Sequence, residues 1–289
     1  MQTGYFTAAW QDIRNTPGWV GKLLLLSLLM LIPVFGWIVV AGYLLGWARD
    51  IAWGVHAPMP AHIFGNEDGK LYSRGFFAWL IGIVFALIPA VAFGVVSMAL
   101  SVGTMGLFSW HHGGGATISF GVVSGLVSMA IVVALVVLYA LALVFSWIGW
   151  MRMSVYGRLS AGFQFGRIWA MMRHDSRGVA RILGMYLVIN LVIGVVAGVV
   201  VIATLIGGMV FGFAAASAAA AAGTPGFAVG VVVLMMILFA ALTYAGMVAS
   251  VFCMAMVVRA MGHWTRQFDV PRWRGQDDPM PFETGFTAM

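Results

Sequence analysis

Four stretches of the sequence each run for more than 25 residues without one charged side chain, and this feature sets the fold class. The stretches are residues 76–102, 118–147, 182–213 and 227–258. A helix needs roughly 20 apolar residues to cross the hydrocarbon core of a bilayer. None of the stretches alternates between apolar and polar residues as a barrel strand does, and lipid tolerates only helices or closed barrels. We therefore predict an all-α, polytopic transmembrane helical bundle with four firm spans.

The composition excludes the common soluble classes. The chain is 62% hydrophobic and 8% charged, whereas soluble domains are about half apolar and roughly a quarter charged. The single cysteine, Cys253, excludes a disulfide scaffold. The formal net charge is +6. In a membrane protein an excess of basic residues marks the cytoplasmic side of the bilayer, so we do not read it as a sign of nucleic-acid binding and expect no nucleic-acid partner.

Residues 23–47 form a fifth apolar stretch that allows two interpretations. Pro33 and Gly36 lie near its middle, where proline removes a backbone donor and bends or breaks a helix. The stretch is either one N-terminal span or a re-entrant hairpin that returns to its own side. A span would leave Arg14 and Lys22 on the side opposite the other basic residues, whereas a hairpin would put all 15 on one side. Either way, the arginine-rich loops and the C-terminus are predicted to be cytoplasmic, in the bacterial cytoplasmic (inner) membrane.

Two short segments share an amphipathic helical pattern. Apolar residues at i, i+3, i+4 and i+7 are Phe6, Ala9, Trp10 and Ile13 in the first, and Phe165, Ile168, Trp169 and Met172 in the second. We predict two interfacial helices and a candidate internal duplication, with repeat units 3–102 and 163–258. Residues 1–258 are predicted to form a single integral membrane domain, followed by a short polar cytoplasmic tail at 259–289.

The sequence offers little chemistry inside the membrane. All nine acidic residues, all lysines and all arginines lie outside the four long stretches, although ion-coupled transport normally needs an ionisable group within the bilayer. The adjacent His111 and His112 have no further metal ligands near them in the sequence. We therefore expect no enzyme, no cofactor and no metal site.

Two groups of residues are candidates for binding. The first group consists of basic residues that could bind anionic lipid or a partner, in a segment with the single acid Asp175. Each basic residue adds about 1 kcal/mol of attraction to an anionic leaflet. The candidates are Arg152, Arg158, Arg167, Arg173, Arg177 and Arg181. The candidates for an interior polar path are Asn190 and Tyr244. The first group predicts a non-catalytic protein whose partners are membrane lipids, a second protein or another copy of itself. The second supports an alternative, an uncoupled small-molecule transporter or permease subunit.

Several short motifs carry a family resemblance. They are Asp12-Ile13-Arg14, the run through Pro33 and Gly36 into Gly42-Tyr43, Arg49, the loop with Pro58 and Pro60, Gly75, Ile88-Pro89, and residues 163–169. With these motifs the chain resembles an uncharacterised prokaryotic family of multi-pass membrane proteins, catalogued as domain of unknown function 4013. The resemblance covers most of the chain. It implies a membrane topology and carries over no catalytic residue.

Overall fold

The structure is a computed structural model that describes residues 4–65, 68–108, 117–222, 226–268 and 270. Within these ranges the chain forms eight α-helices, one short 3-10 helix and no strand. The helices are α1 Tyr5–Arg14, α2 Trp19–Leu29, α3 Phe35–Ala52, α4 Leu71–Phe108, α5 Thr117–Tyr156, α6 Phe165–His174, α7 Ser176–Ala222 and α8 Gly226–Arg266. The 3-10 helix is Leu159–Phe163. The prediction of an all-helical protein is confirmed.

Four of these helices are long and apolar enough to cross a membrane, as the uncharged stretches predicted. The candidate spans are Leu71–Ala99 in α4, Val127–Tyr156 in α5, Ser176–Ala214 in α7 and Val233–Arg266 in α8. The predicted start of the polar tail, residue 259, falls inside α8, which continues to Arg266. The last two turns of that helix are therefore part of the folded bundle.

The ambiguous N-terminal stretch is divided into two helices. The break at residues 30–34 contains Pro33, and Val34 has φ of +62°, a left-handed conformation that a β-branched residue rarely adopts. A Cβ atom at Gly36 would overlap the carbonyl of Leu29, so only glycine permits this approach of α3 to α2. Residues 23–47 therefore do not form one continuous helix.

The beginning of α2 and the chain that follows α3 lie at the same end of the bundle. Lys22 Nζ donates a hydrogen bond to the Met59 carbonyl over 2.8 Å. The Met59 backbone N–H donates to Thr16 Oγ1 over 3.2 Å. Tyr43 on α3 donates from its hydroxyl to the Pro60 carbonyl. These bonds tie the N-terminal helices to the loop that connects α3 with α4.

Among the residues whose burial is described, the packed core lies at this end. Helix α3 is buried along most of its length and packs against α4, α5 and α8. The buried residues of the four long helices fall within 71–89, 142–156, 178–182 and 251–265. Among residues whose burial is described, none in 90–99, 127–141, 183–214 or 229–250 is buried. We call these exposed lengths the outer arms.

Glycines allow the neighbours of α3 to come close to its backbone. A Cβ atom at Gly75 of α4 would overlap the Ile38 carbonyl. One at Gly262 of α8 would lie 2.5 Å from Ile51 Cγ2 and 2.6 Å from the Ala48 carbonyl oxygen. In contrast, a Cβ atom at Gly198 in the outer arm of α7 would meet nothing within 4 Å. The backbone-to-backbone approaches named here therefore lie at the packed end, whereas in the outer arms a Cβ atom at Gly208 would meet only the Met235 side chain, at 3.3 Å.

Candidate functional site

Five of the six predicted basic residues lie on the surface at the packed end. Arg158, Arg173, Arg177 and Arg181 are exposed, and Arg167 is half-buried. Because Arg177 and Arg181 lie four residues apart on α7, they share one face of that helix. On α6, the aromatic side chains of Phe165 and Trp169 are each 48% exposed. We call the set Arg158, Arg167, Arg173, Arg177 and Arg181 the arginine surface.

Asp175, the acid within this segment, is engaged by hydrogen-bond donors. It accepts bonds from the Gly178 backbone N–H at 2.9 Å, from Trp264 Nε1 at 3.1 Å and from Gln267 Nε2 at 3.1 Å. The bond to Gly178 makes Asp175 the N-terminal cap of α7. Burial raises the pKa of this carboxyl, but the hydrogen bonds outweigh it and hold the pKa below its usual range. The carboxylate therefore joins α6, α7 and α8 while it stays ionised.

The arginines on either side of Asp175 in the sequence have no carboxylate partner among the described residues. Within the part of the chain that the structure describes, no ion pair includes Arg173, Arg177 or Arg181. Unpaired guanidinium groups and exposed aromatic rings each suit the boundary between lipid head groups and acyl chains. This part of the surface can accept anionic groups without first breaking an internal ion pair.

Arg152 does not belong to the arginine surface, which corrects its prediction as a lipid- or partner-binding residue. Its residue exposure is 2%. The guanidinium donates from Nη2 to Gln164 Oε1 over 2.6 Å and from Nε to the Ala161 carbonyl over 3.3 Å. It therefore holds the segment after α5 against the end of that helix. The prediction was wrong because Arg152 follows an uncharged stretch in the sequence, where an arginine is usually exposed at the bilayer surface.

A second buried arginine joins the two ends of the chain. Arg259 is 1% exposed and donates from Nε to Asp12 Oδ2 over 2.6 Å and from Nη1 to the Trp47 carbonyl over 2.7 Å. His263 Nε2 lies 2.9 Å from the same Asp12 oxygen. Burial raises the pKa of Asp12, but His263 and Arg259 together lower it by more. The pKa of Asp12 is therefore below its usual value. The cluster fixes α1 to α8 and α3.

Sequence reasoning missed this cluster. Asp12 and Arg259 are separated by 247 residues along the chain, and no local pattern connects them. The available signal was the spacing of Arg259 and His263, which puts both side chains on one face of a helix.

A further ionic cluster lies where α3, α4 and their connecting loop meet. Asp68 accepts hydrogen bonds from Arg49 at 2.7 Å and from Arg74, whose side chain is 6% exposed. Burial raises the pKa of Asp68, but Arg74, the Lys70 backbone N–H and Arg49 lower it to about 2. The cluster borders a cavity of about 240 Å³. Arg74 donates hydrogen bonds to Asp68 and to the Gly42 carbonyl, so its guanidinium serves the fold and not a ligand in that cavity.

Asn190 and Tyr244 do not face a polar interior: Asn190 is exposed and Tyr244 is half-buried between α8 and α2. Asn190 is exposed and donates from Nδ2 to the Tyr186 carbonyl over 2.9 Å and to Cys253 Sγ over 3.3 Å. The Tyr244 hydroxyl donates to the Leu24 carbonyl over 2.9 Å, which ties α8 to α2. Both side chains serve contacts between helices. Neither lines the cavities of about 670, 240 and 600 Å³ in this structure.

His111 and His112 lie outside the described residues. Among the residues that the structure does describe, no group of three histidine, cysteine, aspartate or glutamate side chains could hold a metal ion.

The model of one protein family matches the chain. Its description is "Protein of unknown function (DUF4013)", and the match covers residues 25–202. No curated protein and no solved structure matches the chain. The match spans α3 to α6 entirely, with parts of α2 and α7. The resemblance inferred from the sequence motifs is thus confirmed.

Proposed function

We propose that this chain, which belongs to the DUF4013 family of proteins of unknown function, is a non-catalytic protein of the bacterial cytoplasmic membrane that binds anionic lipid through its arginine surface. The observation that carries the proposal is that Arg173, Arg177 and Arg181 have no carboxylate partner among the described residues. Asp175, which lies among them in the sequence, is instead engaged by donors from α7 and α8 and by Gln267, directly after α8.

The proposal assigns the packed end to the cytoplasmic side and makes α2 and α3 a re-entrant hairpin. Its support is that the beginning of α2 and the chain after α3 lie together at that end, through Lys22 and Met59. The hairpin places every basic residue on one side, which is the arrangement that the positive-inside rule favours. The arginine surface then faces the anionic leaflet of the cytoplasmic membrane.

The charged residues of the packed end support a structural rather than a catalytic role. Asp12 holds Arg259 and His263, and Asp68 holds Arg49 and Arg74. Each carboxylate is committed to two basic side chains. A general acid or base needs an ionisable group that can exchange its proton with a substrate.

The permease alternative required a polar cavity near Asn190 and Tyr244. Both side chains instead join neighbouring helices and line none of the cavities named above. Lipid binding is therefore the function that the geometry favours.

The test compares two double variants that remove equal charge. Arg177→Gln with Arg181→Gln removes two arginines of the arginine surface, whereas Arg14→Gln with Lys70→Gln removes two exposed basic residues that do not belong to it. Native mass spectrometry during a titration with phosphatidylglycerol gives the affinity of each purified variant.

Loss of two arginines at about 1 kcal/mol each should weaken phosphatidylglycerol binding roughly 10- to 30-fold, and the control should stay near wild type. Phosphatidylcholine should bind all three proteins equally, and added salt should weaken only phosphatidylglycerol binding. Equal losses in both double variants would show that charge acts without a defined surface. A bound protein that occupies the arginine surface and excludes lipid would refute the assignment of lipid as its ligand.

A further inference from the structure

A cavity of about 670 Å³ lies between the break of the N-terminal hairpin, α4 and α5. Its wall includes Val34 from the break, Trp37 from α3, Trp79 and Pro89 from α4, and Tyr139 from α5. The volume falls within the range of roughly 300–1,000 Å³ that is common for ligand cavities in proteins. It shares no residue with the arginine surface.

The cavity lies at the depth of the hydrocarbon core. At 1.5 Å per residue, Trp79 is about 12 Å along α4 from Leu71, and Pro89 is about 27 Å along it. Both positions fall inside the candidate span Leu71–Ala99. At the rim, Val34 and Tyr139 are each 51% exposed. The cavity therefore opens sideways, where the surrounding solvent is lipid.

Two polar side chains of the wall are satisfied by the protein itself. The Ser146 hydroxyl donates to the Ala142 carbonyl over 2.8 Å, and Trp150 Nε1 donates to the Ala78 carbonyl over 2.8 Å. With these two groups satisfied, the lining is mainly apolar, and an apolar cavity takes up apolar molecules more readily than water.

Two donors of the wall remain available. Trp37 and Trp79 both line the cavity, and both side chains are half-buried. Among the described residues, their indole N–H groups have no hydrogen-bond partner. Both lie toward the end of the cavity nearer to Leu71. The opposite end is lined by Ala86, Pro89 and Tyr139. The wall is thus polar at its shallow end and mainly apolar at its deep end.

We propose that this cavity binds one acyl chain of a membrane lipid. The chain enters sideways, its ester carbonyl accepts a hydrogen bond from Trp37 or Trp79, and its methylene tail extends toward Pro89. A carbonyl satisfies donors that would otherwise lack partners in lipid, where an unmade hydrogen bond is costly. The inference goes beyond the proposed function and does not rest on it, because the site selects a chain and not a head group.

The test uses a phosphatidylcholine that carries a photoreactive diazirine in the middle of one acyl chain. The neutral probe is reconstituted with the full-length protein in lipid nanodiscs, and the crosslinked residues are mapped by mass spectrometry. Ala86→Phe places a ring in the cavity. Ala90→Phe makes the same change one turn further along α4, at an exposed residue that does not line the cavity.

In the wild-type protein, adducts should be concentrated on the cavity wall relative to exposed positions such as Leu205 in the outer arm of α7. Ala86→Phe should reduce the cavity adducts roughly fivefold or more, because the ring takes the volume of the chain. Ala90→Phe should leave them unchanged. Ile83→Trp, which fills the cavity from its 37%-exposed rim, gives the same test if Ala86→Phe fails to fold.

A uniform distribution of adducts over all lipid-facing helices would overturn the proposal, because it describes ordinary surrounding lipid. Equal labelling of the filled and control variants would overturn it as well. Replacing both Trp37 and Trp79 with phenylalanine should weaken retention of the ester lipid but not of a plain hydrocarbon probe. Equal retention of the ester lipid would refute the role of the indole groups.

Discussion

Replacing Asp12 with asparagine tests the ionic contact between α1 and α8. The wild-type carboxylate accepts from Arg259 Nε at 2.6 Å and faces His263 Nε2 at 2.9 Å. Asparagine keeps the size and one acceptor oxygen but removes the charge. The guanidinium of Arg259, 1% exposed, would then remain buried without its nearest counter-charge.

The expected cost follows from the geometry of the pair. Removing one partner of a fully buried ion pair costs about 3–5 kcal/mol. The Asp12 side chain is 22% exposed, and asparagine retains one hydrogen bond. We therefore expect Asp12→Asn to lower the free energy of unfolding by about 2–4 kcal/mol. Because the cluster attaches α1, amide exchange in α1 should rise before the long helices unfold.

The assay is equilibrium unfolding in mixed micelles, arranged as a double-mutant cycle with Arg259→Gln. The double variant should recover at least about 1 kcal/mol relative to the sum of the two single variants. Arg14→Gln, an exposed change on the same helix, should stay within about 0.5 kcal/mol of wild type. A coupling energy below about 0.5 kcal/mol would refute the inference that Asp12 compensates Arg259.

Three further predictions concern packing, pH and topology. Gly262→Ala should lower the free energy of unfolding by about 1–3 kcal/mol, because its Cβ would press on α3, whereas Gly198→Ala should be nearly neutral. The pKa of Asp68 is about 2, below its ordinary value of 3.8. Its contribution to the free energy of unfolding is therefore complete above about pH 4 and is lost as the pH falls through 2. Asp68→Asn should flatten this acid limb of the curve of stability against pH. With the native cysteine replaced by alanine, Gln11→Cys should resist an impermeant thiol reagent in intact cells, and Ser217→Cys should react.

Each of these predictions has a contradictory result. Equal melting temperatures for the two glycine variants would show that α8 does not approach α3 as closely as described. An unchanged acid limb in Asp68→Asn would show that this carboxyl keeps its ordinary pKa. Ready labelling of Gln11→Cys in intact cells would establish a fifth crossing and refute the re-entrant hairpin.

The sequence predicted the parts of the fold that depend on run length and on helical period. An uncharged stretch longer than the bilayer is thick requires a spanning helix, and all four such stretches lie in long helices. The two segments predicted to be amphipathic are helical, as α1 and α6. Their interfacial placement and the duplication stay predictions. The break near Pro33 was anticipated as one of two alternatives, since proline chemistry alone allows either a kink or a turn.

The ionic clusters could not be predicted in the same way. Arg152 and Arg259 stand at the ends of uncharged stretches, where arginine usually marks the bilayer surface. Whether such a side chain faces lipid head groups or turns into the protein depends on a partner distant in the chain, such as Asp12. Of the six arginines predicted to be at the surface, five form the arginine surface, because exposure is the ordinary condition of a charged residue, and only Arg152 is buried.

The confinement of the packed core to one end divides each long helix into two lengths with different sequence requirements. In the outer arms, lipid tails are as apolar as the side chains that they touch, so exchanging one aliphatic residue for another changes the folding energy little. At the packed end the same exchange leaves a cavity or forces an overlap. The arms can therefore lengthen, shorten or drift in sequence to suit bilayers of different thickness, while the packed end keeps its shape.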